Sequence, residues 1–178
     1  MSQGKNRKYW LVALKLGISF LLCGCSADQP ELGTVDDLEK GGQNEISQET
    51  GAAVADVISV EVSGNPNEYQ FSVEIASADK GCDQYADWWE ILTEEGQLVY
   101  RRILAHSHVS EQPFLRSGGP VSIGVDTVVI VRAHMHPGGY NGNVMIGTVQ
   151  SGFEEVALMP DFAVDVESEP PQPAECAF

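Results

Sequence analysis

Tyr69-Gln70-Phe71-Ser72-Val73-Glu74-Ile75 alternates apolar and polar side chains without a break. A period of two places Tyr69, Phe71, Val73 and Ile75 on one face of a strand and the polar residues on the other. Upstream, Val54 to Val62 alternates around Val54, Ile58, Val60 and Val62. Gly64-Asn65-Pro66-Asn67 lies between the two runs, and these residue types favour turns. The two segments therefore predict a β-hairpin.

The same pattern continues downstream. Tyr85 to Leu92, a turn at Thr93-Glu94-Glu95-Gly96, and Gln97 to Ala105 predict a second hairpin. Ser117-Gly118-Gly119-Pro120 reads as a breaker, followed by a short strand over Val121 to Val125. Thr127 to Ala133 is dense in Val and Ile and gives the strongest β signal. The loop Pro137 to Gly142 leads into Asn143 to Val149, and Phe153 to Leu158 supplies a last edge. Seven or eight short strands with no helical stripe predict an all-β fold, an antiparallel β-sandwich spanning residues 52–160. The order of strands resembles immunoglobulin-like and fibronectin type III-like domains over Ala52 to Val149. A Trp-bearing strand near the middle and Val129-Ile130-Val131-Arg132-Ala133 before a Gly-rich turn carry that resemblance. The intersheet cysteine pair of such domains is missing. The resemblance implies a fold and no activity.

The N-terminus has a different character. Lys5, Arg7 and Lys8 precede an apolar run, Tyr9 to Leu22, that Lys15 interrupts. The run is too short for a bilayer core and has the layout of a secretory leader. Leu21-Leu22-Cys23-Gly24-Cys25 closes it and resembles the lipobox of bacterial lipoproteins. That resemblance implies cleavage of residues 1–24 and attachment of a diacylglycerol to the Cys25 sulfur, usually with a third chain such as palmitate. Each buried methylene contributes about 0.8 kcal/mol, so two or more chains hold firmly to a membrane. Ser26 after the cysteine implies the outer membrane where the host has one. Residues 25–51 are polar and acidic without periodicity and read as a disordered tether.

The leader takes four of the ten basic residues and none of the 26 acidic ones, leaving a processed chain of net charge −20. Such a chain repels phosphate backbones, which argues against a nucleic-acid partner. It is also repelled by anionic lipid, which suits a domain held off the membrane by a tether. With Cys23 removed and Cys25 acylated, Cys82 and Cys176 remain. The oxidising surroundings of an exported protein make a Cys82–Cys176 disulfide the default expectation, ahead of free thiols or a thiol metal site. The bond would staple the acidic, Pro-containing tail, residues 161–178, to the body.

All four histidines fall in His106-Ser107-His108 and His134-Met135-His136. Each pair, two residues apart at a predicted strand end, shares one sheet face. If the strand ends meet, the imidazoles suit copper or zinc, and Met135 could add a soft ligand. The alternative is solvated or hydrogen-bonded loop histidines. A His-x-His strand is similar to that of copper–zinc superoxide dismutases, whose remaining ligand pattern is missing here.

Asp87-Trp88-Trp89-Glu90 offers two further readings. Trp88 and Trp89 point to opposite faces, so one fills the core. The other is either a platform for a sugar ring or covered by the Cys82 loop or the tail. Ser110 to Pro120 reads as a long connection of the kind that holds binding residues, with Arg116 a candidate. Arg101, Arg102, Arg116 and Arg132 either cluster, gripping a carboxylate or pairing with Glu90 and Glu111, or scatter over an acidic surface. The residues show no nucleophile elbow, phosphate loop or metalloprotease helix. A Ser107, His134 and Asp126 set is no better than chance. The expectation is a lipid-anchored binding or envelope-assembly module without catalysis, its partner an envelope protein or a glycan. The alternative is a copper- or zinc-binding lipoprotein using His106, His108, His134, His136 and Met135.

Overall fold

The computed structural model describes residues 53–177. Cys25, the leader and the tether lie outside the described residues. Eight strands form: β1 (Ala55–Ser63), β2 (Tyr69–Ser77), β3 (Tyr85–Thr93), β4 (Leu98–Ile103), β5 (Phe114–Val121), β6 (Val129–His136), β7 (Val144–Thr148) and β8 (Gly152–Val156). They make one antiparallel sheet of order β1-β2-β5 and another of order β4-β3-β6-β7-β8. The two sheets pack as a sandwich, their inner faces meeting in one apolar core.

The predicted β1–β2 hairpin forms, with Val57 opposite Ile75, Val60 opposite Val73 and Val62 opposite Phe71, but Val57 enters the core in place of the expected Ile58. The extra residue at Ile58 falls in a register shift and is left exposed. Phe71, Val73 and Ile75 fill the space between the sheets together with Trp89, Ile91, Val131 and Met135.

The five-stranded sheet is unusual in being covered on its outer face as well. β3 is buried from Tyr85 through Leu92, and β6 from Val129 through Met135. The cover is the C-terminal tail, from Leu158 through the 3-10 turn Val164–Ser168 to Cys176. Val166 packs with Leu92, Ile130 and Val144, and Phe162 and Ala163 extend the patch. The Cys82–Cys176 disulfide closes the strap, spanning 94 residues of sequence.

Two sequence expectations are corrected. Ser117-Gly118-Gly119-Pro120 is not a breaker but the second half of β5, and Val121 ends that strand rather than starting another. A side chain at Gly118 would meet the Tyr100 hydroxyl at 2.7 Å and Trp89 at 3.0 Å, so the glycine makes room for two aromatics. Pro120 is tolerated because β5 is an edge strand. Second, β4 stops at Ile103, so His106 and His108 lie in a loop, not on a strand. Asp79 captures that loop. Its carboxylate accepts the backbone N–H of His108 at 2.7 Å and that of Ala86 at 2.9 Å.

Candidate functional site

The outer face of β3, β4 and β6 carries a row of three charges fixed by strand register. Glu90 lies opposite Arg101 on β4 and opposite Arg132 on β6. Arg101 Nε donates to one Glu90 oxygen and Arg132 Nε to the other, each at 2.8 Å. All three side chains are buried. One carboxylate cannot satisfy two guanidiniums, and the strap supplies the remaining acceptors. Arg101 donates to the carbonyls of Val166 and Glu169, and Arg132 to those of Phe162 and Ala163. Each guanidinium also lies over an aromatic face, Arg101 4.5 Å from the Trp88 ring centre and Arg132 3.5 Å from that of Tyr140. Burial pushes the Tyr140 hydroxyl well above its ordinary titration range, and the Glu90 charge adds to the effect.

Next to this row, the strap and the sheet leave a cavity of about 830 Å³. Trp88, Tyr85, Asp87 and His134 form its sheet side. Asp165, Glu167, Gln172 and Glu175 come from the strap, and the disulfide closes one end. No Lys or Arg lines it. His134 stacks flat on Trp88, with ring centres 3.8 Å apart and planes within 1°. Its Nδ1 donates to Asp87 at 2.6 Å, because a carboxylate facing it can only accept. That bond aims Nε2 towards Glu167, whose oxygen is 3.6 Å away. Tyr85 is pushed towards higher pKa by burial first and then by the Asp87 charge.

The histidine pairs do not converge. Among the described residues, no three His, Cys, Asp or Glu side chains come together as a metal-holding group. His134 and His136 share the outer face of β6, as their spacing predicts, but Met135 points the other way into the sandwich core. Met135 therefore cannot join their ligand set. His108 is buried elsewhere, stacked on Phe114 at 3.8 Å, and neither ring nitrogen has a hydrogen-bond partner. Burial holds its pKa below the ordinary value, and the Arg116 and His106 charges push the same way. His106 lies beside it, with ring centres 4.6 Å apart.

The sugar platform is also corrected. Trp89 is wholly buried between the sheets, and Trp88 is 3% exposed, sandwiched between the His134 ring and the Arg101 guanidinium. Neither indole offers a free face. Arg116 sits on β5, away from Trp88, in a two-pronged pair with Glu111 at 2.7 and 3.1 Å. That bond raises the Arg116 pKa and lowers that of Glu111. Arg101 and Arg132 thus cluster on Glu90 and Arg116 pairs with Glu111, while Arg102 is exposed and donates only to the carbonyls of Ser117 and Ile103. Ser107 binds the backbone N–H of Gly81, while His134 is committed to Asp87.

Asp165, Glu167 and Glu175 were invisible as site residues in the sequence. The one available signal was an acidic stretch next to a cysteine with a partner to find.

No family model and no solved structure matches this chain. A protein of Halomicrobium mukohataei named "Putative lipoprotein" is 41% identical to it over 83 residues. The match covers 47% of this chain and 41% of that protein, so the chain spans less than half of the relative.

Proposed function

We propose that this chain is a lipid-anchored module of the cell envelope, held through Cys25, whose sandwich binds an envelope partner without catalysing a reaction. The observation that carries the reading is the lipobox at Cys25 in a chain similar to a protein named for lipid attachment. The Cys82–Cys176 bond adds support, because such bonds persist in oxidising compartments outside the cytoplasm. Ser26 favours the outer membrane in a host with two membranes. A protein partner is favoured over a glycan, because both indoles are covered.

The test is the chemistry of the N-terminus. Mass spectrometry of the purified protein is expected to show residues 1–24 missing and acyl groups on Cys25. Cys25→Ser is expected to move the protein from the membrane fraction to the soluble one. An intact leader, or a mature N-terminus without fatty acid, overturns the proposal.

A further inference from the structure

The strap cavity holds charge and hydrogen-bonding capacity that the protein itself leaves unused. Tyr85 and Asp87 are 5% and 4% exposed, and both line it. Asp87 Oδ1 accepts from His134 Nδ1 at 2.6 Å, but Oδ2 has no hydrogen-bond partner among the described residues. The Tyr85 hydroxyl has none either, and it lies close enough to feel the Asp87 charge. A buried carboxylate is normally paired or fully hydrogen-bonded. Water satisfies a free oxygen but leaves its charge unbalanced. Strand β3 shifts register between Ala86 and Trp88, which brings the chain neighbours Asp87 and Trp88 to one cavity. Irregularities of this kind re-aim side chains beside functional sites.

The lining defines the chemistry of an occupant. Four carboxylates, Asp87, Asp165, Glu167 and Glu175, stand against two imidazoles and no Lys or Arg. The wall is therefore negative even with both histidines protonated, and it concentrates cations. The acids are spread between sheet and strap, and among the described residues they do not gather into a metal-holding group. An extended organic cation suits that spread. The Tyr85 ring, Val164 and Pro173 supply apolar wall for an alkyl stem. The volume of about 830 Å³ falls within the roughly 300–1,000 Å³ of small-ligand sites. His134 already occupies one oxygen of Asp87 and faces Glu167 at an ion-pair distance of 3.6 Å. A guanidinium fork needs both oxygens of one carboxylate, whereas an ammonium is a compact charge that needs one.

We propose that the cavity between the strap and β3 binds a primary alkylammonium group, its head against the free oxygens of Asp87 and Tyr85 and its stem along the apolar wall. The same chemistry is carried by a free alkylamine and by a lysine side chain of a partner protein. The site does not depend on acylation of Cys25, so its failure leaves the anchor standing, and loss of the anchor leaves the site.

The experiment is calorimetric titration of the full-length protein, purified in detergent, at about 0.15 M salt, where exposed charges more than ~8 Å apart are screened. The probes are n-butylamine, n-butylguanidine, n-butanol and a lysine blocked at both its amino and carboxyl ends. One n-butylammonium per chain is expected, with weaker binding of the guanidinium and none of the alcohol. Asp87→Asn keeps an acceptor for His134 and is expected to weaken n-butylammonium binding at least tenfold. Asp165→Asn alters an exposed residue and is expected to weaken it about threefold with an unchanged melting temperature. Glu155→Gln on the exposed face of β8 is expected to have no effect. Blocked lysine binding as tightly as n-butylamine assigns the cavity to a partner's lysine, and its refusal assigns the cavity to free amines. No n-butylammonium binding by the parent overturns the proposal. So does guanidinium binding as tight as ammonium, or losses in Asp87→Asn and Asp165→Asn no greater than in Glu155→Gln.

Discussion

Glu90 carries two buried guanidiniums and is itself removed from water. Replacing a buried ion set with apolar residues can be harmless when the set serves only itself. Here it does not, because the arginines also satisfy strap carbonyls that would lose their donors. Breaking the set by removing its one anion is worse, since it leaves two like charges side by side. Glu90→Gln keeps the shape and removes the charge, and is expected to cost about 3–5 kcal/mol of unfolding free energy. Urea denaturation of parent and variant measures it, and a loss under about 1 kcal/mol would mean the row is not what holds this face. The sequence placed Glu90 and Arg101 on neighbouring predicted strands, yet the pairing rested on register, which alternation alone does not supply.

Strands with one wet face and strands with two dry faces were both legible as strands, but the inward face could be named only for the first kind. β2 alternates because water lies on one side, so its core residues could be named from the sequence. β3 and β6 are dry on both sides, and the strap that dries their outer face lies 22 to 40 residues beyond β6 in the chain. Nothing in their own sequence says what covers them. β5 failed for another reason: Gly118, Gly119 and Pro120 look like punctuation until Tyr100 and Trp89 are seen to occupy the space. The histidine spacing was read correctly on β6, but His106 and His108 needed a strand end that falls at Ile103. The strap itself is tied covalently and by carbonyls. Opening the tie with Cys82→Ser and Cys176→Ser together is expected to cost about 4.7 kcal/mol in the loop-closure picture. Amide hydrogen exchange is expected to show the largest loss of protection between residues 164 and 177. Protection unchanged there would show that the arginines alone suffice.

Across the molecule, acid sensitivity has two separable parts. His108 is kept neutral in the fold, with its pKa below the ordinary 6.5. The unfolded chain therefore binds a proton at a pH where the folded one does not. Stability from this group is fully present above about pH 6.5 and is lost as pH falls towards the folded pKa. Glu111 is also shifted down, by its bond to Arg116, and its contribution is lost only below its ordinary value of 4.5. Melting temperature is thus expected to fall with pH first near 6 and again below 4.5, and His108→Gln is expected to remove the first fall alone. A first fall that persists in the variant assigns it to another group. Charge at the molecular level was plain from composition, whereas which groups are desolvated was not.

The manner in which the strap is held has a consequence for how such a chain can drift over generations. Arg101 and Arg132 recognise it through peptide oxygens, which every amino acid carries. Side chains along the strap are therefore free to vary, apart from the few that plug the apolar patch and the thiol that locks the end. Related molecules can keep an identical clasp while their C-terminal residues share little spelling, and the cavity wall they form can be rewritten for a new occupant without rebuilding the body beneath.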